Sequence, residues 1–75
     1  MKDFLEFILK GIVQKPDAIK VEESEDEEGK ITLMIRADEQ DIGRIIGKQG
    51  KIIKSIRNLV RVRAIKEKKI VFVQI

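Results

Sequence analysis

The sequence contains no cysteine, no histidine, no tryptophan and no tyrosine among its 75 residues. Without cysteine and histidine there are no disulfides, thiolates, histidine general bases or usual zinc ligand sets. The nearest approach to a nucleophile with a base is Ser55 beside a lysine, so an enzyme is the least favoured class and no cofactor or metal is expected. Since the only aromatic residues are Phe4, Phe7 and Phe72, the core must be aliphatic.

Long hydrophobic runs are also missing. No apolar stretch approaches the length of a membrane span, and residues 1–13 carry Lys2, Asp3, Glu6 and Lys10, which fits neither a signal peptide nor a transmembrane helix. Both signs of charge also argue against a membrane-surface helix. We therefore expect a cytoplasmic protein without membrane insertion.

The chain is rich in aliphatic residues, and its charges are unevenly distributed. Apolar residues make up 43% of it, enough for one small packed domain over residues 1–75. Residues 1–37 hold six Lys/Arg against nine Asp/Glu, a net of −3, whereas residues 38–75 hold ten against four, a net of +6. A positive field of this kind attracts polyanions such as RNA, DNA or anionic lipid, although charge also serves solubility.

The first half predicts a helix followed by a hairpin. Residues 2–13 predict an amphipathic helix that Pro16 ends, with an apolar stripe of Phe4, Leu5, Ile8, Ile12 and Val13. Ile19 and Val21 alternate with charged residues in a short strand. The acidic residues 22–30 predict a solvated hairpin turn rather than a metal site. Residues 30–37 predict the clearest strand, in which Ile31, Leu33 and Ile35 face one way.

The second half predicts two helices and a last strand. Asp38 is placed to cap a short helix over residues 39–46, with Glu39 and Asp41 favourable in its first turn. That helix buries Ile42, Ile45 and Ile46, and after Gly50 a longer helix begins, with an apolar stripe of Ile52, Ile53, Ile56, Leu59 and Val60. Residues 70–75 predict a final, largely buried strand.

This order, α-β-β-α-α-β, predicts an α+β fold. The first two strands form a hairpin, and the last returns through a right-handed two-helix crossover to lie parallel to the second. The expected product is a three-stranded mixed sheet with three helices on one face.

The glycines between the two helices can be compared with nucleotide-binding motifs by counting. A P-loop needs four residues between its glycines, but Gly43 and Gly47 enclose three. A dinucleotide fingerprint needs G-x-G-x-x-G after a strand, whereas here G-x-x-x-G-x-x-G follows a helix. What remains is the G-x-x-G formed by Gly47 and Gly50. Alone it is a weak signal of nucleic-acid binding and is more typical of a tight helix-helix turn.

The chemistry of this turn suits a phosphate backbone. Glycine leaves no Cβ in the way of a sugar-phosphate chain, and the following helix directs its free N–H groups toward the turn. Lys48 and Lys51 add positive charge, and Gln49 can donate a hydrogen bond.

Residues 42–57, IGRIIGKQGKIIKSIR, resemble the signature of K-homology (KH) domains, whose common element is I-G-x-x-G flanked by aliphatic residues. The element order resembles the type II, bacterial arrangement, and the size resembles that of the small single-domain KhpA proteins. The resemblance implies an N-terminal extension over residues 1–25 and a KH core over residues 30–75.

The same resemblance implies binding of single-stranded RNA in a groove beside the loop. Residues 47–50 would clamp the RNA backbone, isoleucines of both helices would form the apolar side, and Ile35 and Arg36 would lie on an edge strand forming the opposite wall. The residues expected to bind RNA are Arg36, Ile42, Ile45, Ile46, Gly47, Lys48, Gln49, Gly50, Lys51, Ile53 and Lys54. Each isoleucine is also a candidate for the core. The loop at residues 66–69 is short for the family, so modest affinity is expected.

The family resemblance further implies an RNA chaperone or post-transcriptional regulator linked to cell elongation and division. It implies a homodimer, or a heterodimer with a second KH protein (KhpB, also called Jag or EloR), with Val60, Val62 and Ile65 as candidate contacts and core residues as the alternative. A second hypothesis is a KH-like module for protein interaction or ribosome assembly, with incidental RNA contact.

Overall fold

The computed structural model describes residues 1–75 apart from the side chain of Lys48, so the predicted phosphate contact of Lys48 lies outside the described residues. The elements follow in the order α1 (Lys2–Lys10), β1 (Lys20–Glu25), β2 (Ile31–Arg36), α2 (Glu39–Ile46), α3 (Lys51–Lys66) and β3 (Val71–Gln74), with 3₁₀ turns at Pro16–Ala18 and Lys48–Gly50. This order confirms the predicted α+β fold.

The sheet has the strand order β1-β2-β3. β1 and β2 are antiparallel, with Lys20 opposite Arg36, and β2 and β3 are parallel, with Ile31 opposite Val71. The hairpin and the parallel return are therefore confirmed. β2 is the central strand, so β3 and β1 form the two edges.

The core lies between one face of the sheet and the helices. Ile31, Leu33 and Ile35 of β2 are buried, as their alternation predicts, while Thr32 and Met34 face the open side. The buried hydrophobic residues are Leu5, Leu9, Ile19, Val21, Ile31, Leu33, Ile35, Ile45, Ile53, Ile56, Val60, Ala64 and Val73. The core is aliphatic throughout, as the composition requires.

α1 is shorter than predicted, and it turns a different face toward the core. It ends at Lys10, and the residues buried from it are Leu5 and Leu9, whereas Phe4 and Ile8 lie half-buried at its side and Ile12 is exposed. The sequence carries two adjacent apolar stripes on this helix. The position of the sheet decides which of them becomes the core stripe.

The acidic segment is only partly a turn. β1 extends to Glu25, because its backbone pairs with β2 as far as Glu25 opposite Ile31. The turn begins at Asp26, whose Oδ1 accepts the N–H groups of Glu28 and Lys30 at 2.9 Å. Exposed carboxylates are tolerated on β1 because it is an edge strand.

The prediction of a largely buried last strand was wrong. Only Val73 of β3 is buried, while Phe72 is 50% exposed and Ile70 and Ile75 are also exposed. No described helix covers the second face of the sheet, so every other residue of this edge strand meets solvent. The stripe predicted for α3 is also wider than its core face, since Ile52 and Leu59 are exposed.

Candidate nucleic-acid interface

The start of α2 is fixed by a side-chain cap. Asp38 is the N-cap, and its Oδ1 accepts the backbone N–H of Gln40 at 3.0 Å, which confirms the predicted cap. Its Oδ2 lies 3.3 Å from Nζ of Lys15. The Gln40 N–H and then the Lys15 ammonium group hold the pKa of the Asp38 carboxyl below its usual value.

A second carboxylate ties α2 to the segment after α1. Asp41 is 2% exposed, and its oxygens accept the backbone N–H groups of Gln14 at 3.1 Å and Lys15 at 3.0 Å. Arg44 lies beside it, with Nε 3.6 Å from Oδ1. The sequence prediction gave Asp41 only a helix-dipole role. The signal for burial was its place four residues before Ile45, on the core face of α2.

The loop between α2 and α3 is built from left-handed backbone. Gly47 has φ 68° and ψ −175°, Gln49 has φ 58°, and Gly50 has φ 73°. A Cβ on Gly47 would lie 2.8 Å from Cγ1 of Ile52, so the turn requires glycine there for both conformation and space.

Gly50 is the N-cap of α3 and supplies no side-chain cap. The first N–H groups of this 16-residue helix, next to the glycine loop, therefore donate no hydrogen bond to a side chain at the N-cap. Such a helix end attracts anions. Lys51 and Lys54 are exposed on the same helix and lie within its first turns.

The predicted isoleucines divide between the core and the surface. Ile45 and Ile53 are buried, whereas Ile42 is half-buried and Ile46 is 39% exposed. Ile42 and Ile46 are one turn apart on the same flank of α2. Together with Ile52, which is also 39% exposed, they leave an apolar surface beside the loop.

Arg36 is not brought together with these residues. The expectation that it lies on an edge strand was wrong, because β2 is central in the sheet. The side chain of Arg36 lies on the open face, where its Nε is 2.7 Å from Oε1 of Glu22. Ile35 is buried in the core, and its neighbour across the hairpin is Val21.

The sequence prediction of the site missed two arginines that the structure places beside β3. Arg57 and Arg61 lie one turn apart on α3 and line a groove of about 260 Å³ together with residues 71–74. Nε of Arg57 donates to the carbonyl oxygen of Val73 at 3.3 Å. The signal in the sequence was their spacing of four residues on one helix face.

This groove runs along a free strand edge. The N–H of Ile31 donates to the carbonyl of Ile70 at 2.9 Å. In a parallel ladder the alternate residues, Val71 and Val73, then turn their N–H and C=O groups away from β2. The groove therefore combines backbone groups of β3 that face away from β2, of which the Val73 carbonyl accepts from Arg57, with two guanidinium groups.

Other chemistry has little support in the described part of the chain. Among those residues, no group of three or more acidic side chains could hold a metal ion. Within the same residues, no helix is long and apolar enough to cross a membrane.

Two helices joined by a G-x-x-G loop, packed on a sheet whose last strand returns parallel to the second, define the class of KH-fold domains. The sequence matches the family described as "KhpA/KhpB, KH domain" over residues 2–75, and the chain belongs to that family.

Similar proteins occur in several bacteria. The chain is 45% identical over 75 residues to a protein of Clostridium perfringens named RNA-binding protein KhpA, covering 100% of this chain and 99% of that one. A protein of the same name from Clostridium acetobutylicum is 43% identical with the same coverage. One from Thermotoga maritima is 48% identical over 60 residues, covering 80% of this chain and 79% of that one. No solved structure matches the chain significantly.

Proposed function

We propose that this protein is a non-enzymatic module that binds single-stranded RNA and clamps the RNA backbone at the loop Gly47–Gly50. The proposal rests on one observation. The glycine loop, whose backbone has positive φ angles, leads directly into the start of α3, where the N-cap residue provides no side-chain cap. A phosphate can approach there without meeting a Cβ and can accept N–H hydrogen bonds. The relatives named RNA-binding protein KhpA support RNA as the ligand.

The residues on either side of the loop have separate roles in this proposal. Ile42, Ile46 and Ile52 offer an apolar shelf for bases, and Arg57 and Arg61 with the edge of β3 form the facing wall. Ile45 and Ile53 act by holding the helices together, and Arg36 is left out of the site. The proposal assigns RNA contacts to residues 30–75 and a bracing role to residues 1–25, in agreement with the Asp41 contacts to Gln14 and Lys15.

The cellular role we propose is that of an RNA chaperone or post-transcriptional regulator in the cytoplasm, linked to cell elongation and division.

The test of RNA binding is the double variant Lys48→Asp with Gln49→Asp, measured by fluorescence anisotropy with labelled single-stranded RNA. The variant should keep its circular dichroism spectrum and lose binding. A matched control is Lys20→Asp with Ser24→Asp, which makes the same charge change on β1. Binding that survives in the loop variant would remove the loop from the mechanism.

We also propose that the chain pairs, with a second copy or with a second KH protein of the KhpB (Jag, EloR) type. Leu59 and Val62 are exposed on α3 and line a shallow cavity of about 250 Å³ with Phe4. Phe7, three residues after Phe4 on α1, is 79% exposed. Of the contacts predicted from sequence, Val60 is a core residue and Val62 and Ile65 are exposed. Two weak RNA sites held together would gain avidity.

The same apolar surface favours the second candidate function, in which protein docking dominates and RNA contact is incidental. Capture of partners with and without nuclease separates the two. Under the RNA hypothesis, nuclease or the Lys48/Gln49 change releases the captured material apart from the KH protein with which the chain pairs. Under the docking hypothesis, capture survives both treatments and is lost with Val62→Glu. The matched control is Ser55→Glu, an exposed position of α3 outside that cavity.

A further inference from the structure

The cleft between α3 and β3 does not end at the groove of Arg57 and Arg61. It continues toward the C-terminal end of α3 into a second cavity of about 320 Å³, and the two cavities share Arg61, Val71 and Phe72. The second cavity lies farther from the glycine loop. The exposed side chains of Ile65 and Ile70 contribute to its lining.

The lining of the second cavity combines apolar surface with positive charge. Arg61 and Lys69 are its charged residues, and no carboxylate lines either cavity among the residues that the structure describes. An apolar lining with cations at the rim fits a nucleotide, whose base has an apolar face and whose phosphate is an anion. A protein segment in the same cavity would need acidic residues to pair with the cations at its rim.

The turn after α3 holds Lys69 in place. Its N–H donates to the carbonyl of Ala64 at 2.9 Å, and the N–H of Lys68 donates to the carbonyl of Ile65 at 3.1 Å. The turn is thereby folded back on the helix end, and Lys69 and Ile70 lie at the cavity. The connection between α3 and β3 is short, so it can wrap little of the RNA. It also leaves this end of the cleft without a covering loop.

We propose that the RNA strand continues from the loop groove into this second cavity, so that the site holds more nucleotides than the roughly four of a single KH groove. The additional base lies on Ile65 and Ile70, and its phosphate lies near Arg61 and Lys69. This inference rests on the proposed function, since it extends the same RNA site.

The experiment measures the affinity of unstructured RNA oligonucleotides of about four to ten nucleotides by fluorescence anisotropy, corrected for the number of binding registers on the longer strands. The corrected affinity should rise beyond four nucleotides and then level off. The variant Lys69→Gln with Ile70→Ser should lose about tenfold affinity for the eight-nucleotide strand and keep tetranucleotide affinity within about twofold. The matched control is Lys10→Gln with Ile12→Ser at the exposed end of α1.

Three results would overturn the extension. The first is a corrected affinity that does not change from four to ten nucleotides, and the second is an equal loss for short and long strands in the Lys69/Ile70 variant. The third is a change of oligomeric state in that variant, measured by sedimentation, while the dependence of affinity on RNA length stays the same. That result would mean that the cavity binds a protein instead of RNA. Tetranucleotide binding that resists the Lys48/Gln49 change would instead contradict the proposed loop function, so the two failures are distinguishable.

Discussion

Gly47 and Ile52 pack so closely that a Cβ on Gly47 would lie 2.8 Å from Cγ1 and 2.9 Å from Cδ1 of Ile52. The contact brings the end of α2 and the first turn of α3 together across the loop. The loop therefore depends on glycine at this position for its own conformation and for its packing against Ile52.

The first prediction concerns the two glycines. Gly47→Ala should lower the free energy of unfolding by about 2–3 kcal/mol, because alanine meets both the strained dihedrals and Ile52. Gly50→Ala should cost only about 1 kcal/mol, since its nearest neighbour would be Cγ2 of Ile53 at 3.9 Å. Urea denaturation of both variants measures the difference. Equal losses would show that the Ile52 contact does not constrain the loop.

The second prediction concerns Asp41. Asp41→Ala should lower the free energy of unfolding by about 2–3 kcal/mol, because two backbone N–H groups lose a charged acceptor. Glu39→Ala, in the same turn of α2 but exposed, should change it by less than about 0.5 kcal/mol. The Gln14 and Lys15 amides should also exchange hydrogen faster in the Asp41 variant alone. Unchanged exchange there would show that the carboxylate does not hold the segment.

The third prediction concerns acid. Because the pKa of Asp38 is lowered in the folded protein, its charged form contributes stability that is fully present above the ordinary value of 3.8 and is lost as pH falls through the lowered pKa. The difference in unfolding free energy between the protein and Asp38→Asn should therefore shrink between about pH 5 and pH 2. Asparagine still caps the helix, which makes it the suitable control. A difference independent of pH would mean that Lys15 and Gln40 do not favour the charged carboxylate.

The fold was largely predictable from local patterns, and the exceptions follow from distant contacts. The alternation of β2 and the cap at Asp38 are properties of neighbouring residues, so the sequence was sufficient for both. The contact of Asp41 with Gln14 joins residues 27 positions apart, and that of Arg57 with Val73 joins residues 16 positions apart. No local pattern carries either contact. The exposure of Phe72 likewise depends on which face of the sheet lacks helices.

The geometry of the candidate site was predictable only in part. The turn at residues 47–50 could be predicted because glycine spacing is local and its conformational meaning is specific. Arg36 was assigned on the assumption of an edge strand, which strand order in the sheet contradicts. Arg57 and Arg61 were visible as a basic helix face, but only the position of β3 turns that face into one wall of a groove.

The fourth prediction concerns salt. With roughly three phosphates neutralised at about −0.7 each, the logarithm of RNA affinity should fall with the logarithm of salt concentration at a slope of about −2. Arg61→Gln should make this slope shallower by about 0.7, because one phosphate contact is lost. Lys20→Gln, on the open face of the sheet, should leave it unchanged. A slope that responds equally to both changes would indicate attraction by net charge rather than a site at the cleft.

RNA binding at the glycine loop is tested most directly by a map of backbone amide chemical shifts on addition of a short single-stranded RNA. We expect the largest changes on residues 46–52, around the glycine loop and the start of α3, with smaller ones at Arg57 and Val73. Residues of β1 and α1 should stay nearly unchanged. Largest changes on the open sheet face around Arg36, or on α1 around Phe7, would contradict the claim that this loop holds the RNA.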